Sequence, residues 1–192
     1  MKRKIKASIF GVGMLAIAAA SCTSGQQTAE TVSGLNPAKF DSTINGKKTA
    51  LYTLANKNGM EVCITNFGAR VVSLVVPDKN GNPTDVVLGY DNIAQYADLE
   101  NSPSDFGSSV GRYANRINQG KITVDGKEYQ LPQNNFGHCL HGGPTGWMYQ
   151  VYDAEQPNDS TLKFTIVSPD GDNNFPGTVT ATTTYTLLSN NT

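Results

Sequence analysis

The sequence predicts an all-β fold, a β-sandwich. From Leu51 onward, short runs of β-branched and aromatic residues are separated by Gly, Asn, Asp or Pro, and sustained helical periodicity is missing. Two dipeptides between runs, Asn58-Gly59 and Asp125-Gly126, favour hairpin turns, because both central residues of a type I′ turn need positive φ. Neighbouring runs should therefore pair as antiparallel strands.

Eight runs are expected to form strands, each bounded by turn residues: 51–55, 60–66, 70–76, 86–90, 121–124, 127–131, 161–167 and 178–188. In the last run every second residue from Thr180 to Thr186 is Thr, which predicts one Thr-rich face and one more apolar face. Helical spacing occurs only at 92–99, over about two turns.

Composition bounds the classes of function. The chain has 192 residues, of which 38% are hydrophobic and 16% charged, as expected for one globular domain. Fifteen Lys and Arg stand against sixteen Asp and Glu, and no basic stripe follows the first residues. A nucleic-acid partner is therefore not expected, since binding to phosphates requires such a basic stripe.

The chain is expected to be a monomer.

The first residues predict export. A basic start, Lys2-Arg3-Lys4, and an apolar run over 7–20 precede Ala19-Ala20-Ser21-Cys22, which resembles a bacterial lipobox with Cys22 as the lipidated residue. The run is shorter than the roughly 20 residues that span a bilayer. The alternative is an ordinary signal peptide, cut near Ala20. We expect a signal peptide over 1–21, a flexible tether over 22–36 rich in Ser, Thr, Gln and Gly, and a folded domain over 37–192, lipid-anchored on the periplasmic side.

Two further cysteines, Cys63 and Cys139, could pair in an oxidising compartment. Cys63 alternates with Val62 and Ile64 in an expected strand, which favours a small buried thiol over a disulfide. The pairing stays open at this point.

Polar side chains gather in two stretches, Gly111-Arg112-Tyr113-Ala114-Asn115-Arg116-Ile117 and Phe136-Gly137-His138-Cys139-Leu140-His141-Gly142-Gly143. Arg offers a rigid fork of donors, and neutral imidazole offers one donor and one acceptor. That combination suits a ligand with many hydroxyls and no charge. The alternative is that an Arg pairs with a carboxylate to pin a loop, and that both His residues are satisfied within the fold.

Two places carry side chains of the kinds that bind metals. His138, Cys139 and His141 are zinc-type ligands, but no second pair of ligands accompanies them, and a zinc site is not expected. The loop over 170–174 begins like a calcium loop. Phe175 and Ala181 stand where an EF-hand needs Gly and Glu, so only a looser calcium site is left open.

Aromatic residues near the polar stretches could pack on the C–H faces of a pyranose. Most are expected to be structural, and Trp147 and Phe175 are the best candidates for a cleft wall. The remaining aromatic residues near the polar stretches are Tyr113 and Phe136.

Five stretches together resemble the aldose 1-epimerase family, in that family's order: Asn66-Phe67-Gly68-Ala69, Asp85-Val86-Val87-Leu88-Gly89-Tyr90-Asp91, Gly111 to Ile117, Leu140-His141-Gly142-Gly143, and Asp170-Gly171 with Phe175-Pro176-Gly177. The resemblance implies a galactose mutarotase-like β-sandwich that interconverts the α and β anomers of free hexoses such as galactose and glucose. It also implies that Asn115 and Arg116 bind sugar hydroxyls and that His141 contacts the sugar near the ring oxygen.

The reaction itself requires a base for the anomeric O–H and an acid for the ring oxygen, and no cofactor. In the family that the sequence resembles, the acid is a His in a later motif and the base a Glu near the C-terminus, and neither motif occurs here. The resemblance therefore implies that the acid and the base lie beyond Thr192, and no residue of this chain is assigned as catalytic.

The last residues, Asn191-Thr192, are expected to lie in a turn between two strands, where a natural domain rarely ends. We therefore expect the amino-terminal portion of a longer protein, a sandwich incomplete at its C-terminal side and inactive alone. The alternatives are a non-catalytic sugar-binding lipoprotein and a β-sandwich without a ligand.

Overall fold

The computed structural model describes residues 30–192, so the expected signal peptide and Cys22 lie outside the described residues. In chain order the strands are β1 (Ser42–Ile44), β2 (Lys47–Thr49), β3 (Leu51–Ala55), β4 (Glu61–Thr65), β5 (Arg70–Pro77), β6 (Pro83–Asp85), β7 (Arg116–Ile117), β8 (Lys121–Val124), β9 (Lys127–Gln130), β10 (Cys139–Leu140), β11 (Asp153–Asn158), β12 (Thr161–Ser168) and β13 (Val179–Thr186). One α-helix, α1 (Ile93–Ala97), and four single-turn 3₁₀ helices complete the elements: Pro37–Phe40, Asn118–Gly120, Trp147–Tyr149 and Asp172–Asn174.

All pairings between these strands are antiparallel. The two largest sheets have the orders β3-β4-β5-β6 and β11-β12-β13, and the pairs β1-β2, β7-β10 and β8-β9 form small sheets of their own. The all-β prediction is confirmed, and strands β3 and β8 have the predicted bounds to the residue.

The two hairpin predictions had different outcomes. Asp125 (φ 49°) and Gly126 (φ 77°) form the two-residue turn between β8 and β9, as expected for type I′. The turn between β3 and β4 is longer, because the side-chain oxygen of Asn56 accepts the N–H groups of Asn58 and Met60 and organises the loop itself.

The strand predicted at 86–90 was wrong. Val86 and Leu88 are exposed, and the preceding strand β6 ends at Asp85. The Asp85 carboxylate accepts the N–H groups of Leu74 (3.1 Å) and Val87 (3.0 Å). The N–H of Val86 still donates to the carbonyl of Leu74 (2.9 Å), but the N–H of Leu74 donates to the Asp85 side chain and not back to Val86, so the ladder ends at this pair.

The residues after β13 form a turn, as the sequence predicts, although the strand ends at Thr186 and not at Leu188. The N–H of Leu188 donates to the carbonyl of Thr192 (2.7 Å), and the N–H of Asn191 donates to the carbonyl of Leu188 (3.3 Å). The amide of Asn56 donates to the carbonyl of Leu188 and to Oδ1 of Asn191, each at 2.8 Å. This turn is therefore tied to the loop between β3 and β4.

The two large sheets pack face to face. Tyr52 of β3 meets Phe164 of β12 edge to face at 5.7 Å, and the hydroxyl of Tyr185 donates to the carbonyl of Ala69 across the layers. The apolar cluster between the sheets comprises Leu54, Ile64, Ala69, Tyr152, Leu162, Phe164, Ile166 and Leu187. Each large side chain buried in such a cluster contributes about 1.5–3 kcal/mol. The result is a sandwich whose sheets do not close into a barrel.

The flexible tether expected up to residue 36 ends earlier. Leu35 is 1% exposed and packs in the cluster that contains Phe40 and Tyr96, and Ser33 is also buried. The carboxylate of Glu61 accepts the N–H groups of Val32 and Ser33. One large apolar side chain in a polar segment, together with these bonds, orders residues that composition alone assigned to the tether.

Cys63 and Cys139 are both free and fully buried, in separate apolar clusters. Burial raises the pKa of the Cys63 thiol to about 12. The expectation of a buried thiol at Cys63 is confirmed. Within residues 30–192, no helix has the length and apolar content that a membrane span requires.

Candidate functional site

The candidate site is built on the two-stranded sheet of β7 and β10. Arg116 lies opposite Leu140, and Ile117 lies opposite Cys139. Ile117 and Cys139 are buried in a cluster with Leu131. Because successive side chains of a strand point to opposite faces, burial of Ile117 directs Arg116 to the outer surface, where it is exposed.

Asn115 and His141 extend this small sheet by one further pair. The N–H of His141 donates to the carbonyl of Asn115 (3.0 Å), and the N–H of Asn115 donates to Nδ1 of the His141 imidazole (2.9 Å). Both residues have positive φ, 61° and 52°, so both chains leave the extended conformation here. The structure therefore brings together the three predicted residues, Asn115, Arg116 and His141.

The bond to the backbone fixes the tautomer of His141. An Nδ1 that accepts an N–H cannot itself carry a proton, so the neutral imidazole holds its proton on Nε2. His141 thereby presents a donor on the ring edge opposite Nδ1. Asn115 is oriented in a related way, because its Oδ1 accepts the N–H of Arg116 (2.8 Å) and leaves the Nδ2 group as donor.

Arg116 keeps most of its donors free. Its Nε donates to Oδ1 of Asn135 (2.8 Å), and neither Nη atom has a partner within residues 30–192. Arg116 forms no ion pair in this range, where the pairs are Lys47–Asp153, Lys121–Glu128 and Lys163–Glu155. A guanidinium whose one contact is a neutral amide can turn its remaining donors to an uncharged ligand.

Arg112, by contrast, has the loop-pinning role that the sequence left open for one arginine. Its guanidinium donates to the Ser168 hydroxyl (2.7 Å) and to the carbonyls of Ser168 (3.0 Å), Pro169 (2.6 Å) and Pro176 (3.0 Å). These partners are mostly backbone carbonyls, where a carboxylate was expected. Arg112 therefore ties the loop after β12 to the stretch that carries Asn115.

Gly142 and Gly143 allow two stretches of backbone to approach closely. A Cβ on Gly142 would lie 2.0 Å from the carbonyl oxygen of Gly111, and one on Gly143 would lie 2.6 Å from Oδ1 of Asn173. Both have φ values that favour glycine, 83° and 103°. The turn after His141 is thus seated against the chain that leads to Asn115.

The possible metal ligands are engaged within the fold. The Nδ1 of His138 accepts the N–H of Gln119 (3.0 Å), and Cys139 points into the core. In the loop over 170–174, Asp170 accepts the N–H of Gly177, and Asp172 accepts from the Ser168 hydroxyl. Among residues 30–192, no group of three or more His, Cys, Asp or Glu side chains is arranged to hold a metal ion.

Of the two rings predicted to form a cleft wall, Phe175 needs correction, and Trp147 stays a prediction. Phe175 is 7% exposed and belongs to the core beneath β7 and β10, so it cannot form a cleft wall. Trp147 is half-buried, with its ring against Gly111, and its Nε1 is buried without a partner within residues 30–192. The exposed rings of this region are those of Tyr113 and Phe136.

Asn134 and Asn135 were missed from the sequence. The Asn134 amide accepts the N–H of Leu140 (2.8 Å) and donates to its carbonyl (3.1 Å), and Asn135 orients Arg116. The only sequence signal was a pair of amides shortly after the expected strand over 127–131, and such pairs are common in turns.

The open β-sandwich places this chain in the galactose mutarotase-like fold class. It superposes on the crystal structure of an aldose epimerase homologue from C. elegans with a TM-score of 0.68 and 34% identity, covering 72% of this chain and 42% of that one. A galactose 1-epimerase from Lactobacillus acidophilus NCFM gives a TM-score of 0.66 with 26% identity, covering 77% of this chain and 43% of that one.

The chain belongs to the aldose 1-epimerase family, whose sequence profile matches residues 50–192. It is 42% identical over 128 residues to galactose mutarotase of Rattus norvegicus, which covers 67% of this chain and 36% of the relative. Identity to aldose 1-epimerase of Escherichia coli K12 is 35% over 147 residues, covering 77% and 42%. The chain thus spans well under half the length of these relatives. That the family's acid and base lie beyond Thr192 stays a prediction.

Proposed function

We propose that this chain supplies the sugar-binding part of an aldose 1-epimerase, which interconverts the α and β anomers of free hexoses such as galactose and glucose. One observation carries the proposal: the backbone N–H of Asn115 fixes the imidazole of His141, and the residue after Asn115, Arg116, carries a guanidinium that has no ionic partner in the described chain. Family membership supports the reaction, and the donor set supports the uncharged substrate.

The three side chains offer hydrogen-bond donors to a pyranose: Nδ2 of Asn115, Nη of Arg116 and Nε2 of neutral His141. Hydroxyl oxygens accept from the first two. The His141 donor faces the ring oxygen, where negative charge grows as the C1–O5 bond breaks. Donors that are already oriented stabilise that charge without reorganising in the transition state.

Anomer exchange then needs two proton transfers. A base removes the proton of the anomeric hydroxyl, the C1–O5 bond breaks as the carbonyl forms, and an acid protonates O5; rotation about C1–C2 and the reverse steps give the other anomer. No cofactor is needed. Each positioned proton-transfer group is typically worth about 10²–10⁴-fold in rate. Since this chain has neither the acid nor the base motif, we propose that it binds sugar and turns it over poorly.

Binding can be tested by thermal unfolding with and without galactose or glucose. A site that binds hexose is stabilised by RT ln(1 + [L]/Kd), about 2.7 kcal/mol at a hundredfold excess over Kd. Arg116→Ala and His141→Ala should abolish the shift in melting temperature. Lys57→Ala, which removes an exposed cation from the β3–β4 turn, should leave it intact. No shift in the unchanged chain at saturating millimolar hexose contradicts the sugar-binding role.

Turnover can be tested by polarimetry, which follows fresh α-glucose or α-galactose to anomeric equilibrium. The protein that contains this chain together with the family's later His and Glu motifs should accelerate the approach. The 192-residue chain alone should leave the spontaneous rate nearly unchanged. If the complete protein fails to accelerate mutarotation while binding persists, the non-catalytic alternative replaces the enzyme.

We further propose that the protein is exported and held by a lipid on Cys22, facing the periplasm. The basic start, the short apolar run and the lipobox-like Ala19-Ala20-Ser21-Cys22 support this. Expression with radiolabelled palmitate should label the protein and direct it to the detergent phase, and Cys22→Ser should abolish both. If the protein carries no radiolabel and its chain has been cleaved near Ala20, the segment is an ordinary signal peptide.

A further inference from the structure

Residues 31–35, here called the strap, form a closed loop beside strand β4. The N–H of Thr31 donates to the carbonyl of Leu35 (3.1 Å), and the N–H of Leu35 donates back to Oγ1 of Thr31 (2.9 Å). Leu35 fastens the strap to the domain, because its side chain is 1% exposed and packs in an apolar cluster. The strap precedes residue 50, where the match to the family profile begins, so it lies outside the part of the chain that the profile describes.

A buried carboxylate provides the second fastening. Glu61 of β4 is 6% exposed, and its carboxylate accepts the N–H groups of Val32 and Ser33. A carboxylate is costly to bury unless both hydrogen bonds and a cation compensate its charge. No cation of residues 30–192 forms an ion pair with Glu61. The closed strap therefore holds an incompletely compensated charge whenever Glu61 is ionised.

The titratable groups around Glu61 include no positive charge. The thiol of Cys63, two residues along the same strand, donates to Oε1 of Glu61 (3.8 Å), and Asp85 at the end of β6 adds a negative charge. From the strap, Thr31 and Ser33 contribute only neutral hydroxyl groups. Burial raises the pKa of the Glu61 carboxyl, and the charge of Asp85 acts in the same direction, against the hydrogen bonds from the strap and from Cys63.

We propose that the strap is a pH-sensitive latch, which is held closed while Glu61 is protonated and opens more readily once Glu61 is ionised. Opening exposes the carboxylate to water, where its charge is solvated, whereas the protonated group loses little when it is covered. Because the closed state binds the proton more tightly than the open state, closure is strongest in acid and weakens as pH rises through the titration of Glu61.

Opening of the strap changes how the domain is connected to the residues before it. In the lipid-anchored form proposed above, release of residues 31–35 would add five residues, at most about 18 Å, to the connection between Cys22 and the domain. The strap therefore sets how far from the membrane the domain can reach, in response to pH.

Strap opening can be measured by amide hydrogen exchange in the full chain, followed by NMR at Gly34 and Leu35. These N–H groups donate to the carbonyl and to Oγ1 of Thr31, so substitution of Glu61 removes neither acceptor. The exchange rate of the unchanged chain is divided by that of Glu61→Gln at the same pH, which cancels the intrinsic rate. The ratio should rise at least about threefold between about pH 4 and pH 7, since only the unchanged chain titrates at residue 61. A ratio that is constant with pH refutes the latch.

A pair of leucine variants tests whether the opening is local. Leu35→Ala removes the apolar fastening of the strap and should speed exchange at Gly34 at least about tenfold at each pH. Leu162→Ala is the matched control, because it removes an equally buried leucine (0% exposed) from the cluster between the two large sheets. It should change exchange at Gly34 by less than about twofold.

The two variants separate strap opening from unfolding of the whole domain. If both speed exchange at Gly34 equally, the strap opens only when the domain unfolds, and the latch is refuted. If Leu35→Ala does not fold, the pH dependence of the ratio to Glu61→Gln decides alone. Neither measurement uses a sugar, so the result is independent of the proposed function.

Discussion

Replacing Gly142 by Ala should damage both the fold and the site. The new Cβ would lie 2.0 Å from the carbonyl oxygen of Gly111, where ordinary van der Waals contact begins at 3.4 Å, so one of the two chains must move by more than an ångström. The φ of 83° adds a penalty of about 1–2 kcal/mol for any L side chain. Overpacking costs about 1–3 kcal/mol more, giving a total of about 2–5 kcal/mol.

Gly126→Ala isolates the steric part of this cost. Gly126 has nearly the same φ, 77°, but a Cβ there meets nothing within 4 Å. It should lose only the conformational term, about 1–2 kcal/mol. In a domain of this size Gly142→Ala should lower the melting temperature by about 4–20 °C, and Gly126→Ala should lower it by about 2–8 °C.

Binding provides the second measurement, since Gly142 follows His141 directly and presses on the chain four residues before Asn115. Displacing either chain separates the imidazole from its backbone donor, and hexose affinity should fall at least about tenfold, as expected when a binding group is misplaced by an ångström. Equal losses of stability in the two variants, or unchanged affinity in Gly142→Ala, would refute the close-approach argument.

Three further results are expected. Arg112→Lys should lower stability by about 2–4 kcal/mol in urea denaturation, because an ammonium cannot reach Ser168 and Pro176 together with the fork of a guanidinium. Burial raises the pKa of the Glu61 carboxyl, so the folded state binds the carboxyl proton more tightly than the unfolded state, and stability falls as pH rises from the ordinary pKa of 4.5 through the raised pKa. Glu61→Gln has no such titration, so its stability relative to the unchanged chain should increase between about pH 4 and pH 7. A stability difference that does not change with pH contradicts the raised pKa. Cys63, with its pKa raised to about 12, should resist iodoacetamide at about pH 8 until the chain is unfolded, and rapid native alkylation seen by peptide mass mapping would disprove its burial.

Much of the fold could be predicted because its long strands show their periodicity locally. Strand β13 alternates Thr with less polar residues, strand β8 lies between Gly120 and Asp125, and strand β3 ends before the turn residue Asn56. Strands of two or three residues carry no such signal. The pair β7 and β10 exists because chains more than twenty residues apart meet over a shared core, and that meeting depends on tertiary packing.

The residues of the site also fall into two groups, those that the sequence could predict and those that it could not. Asn115, Arg116 and His141 could be picked out by residue type and motif, and the structure brings them together. The supporting residues could not be, because Arg112 and Asn135 act through bonds to partners distant in sequence. Leu35 illustrates the converse error, where one apolar side chain ordered a segment that its average composition assigned to a tether.

Positive φ values in the site link its geometry to its proposed role. Asn and His adopt the left-handed conformation more readily than most residues, so Asn115 (61°) and His141 (52°) are little strained, but Phe136 (47°) is of a bulky type that rarely adopts it. His141 and Phe136 are each held by bonds of the surrounding backbone: Nδ1 of His141 accepts the N–H of Asn115, and the turn of Phe136 is closed by Asn135 and His138. The imidazole of His141 and the amide of Asn115 are therefore oriented by the fold before any sugar arrives, which is the preorganisation that the proposed binding role requires.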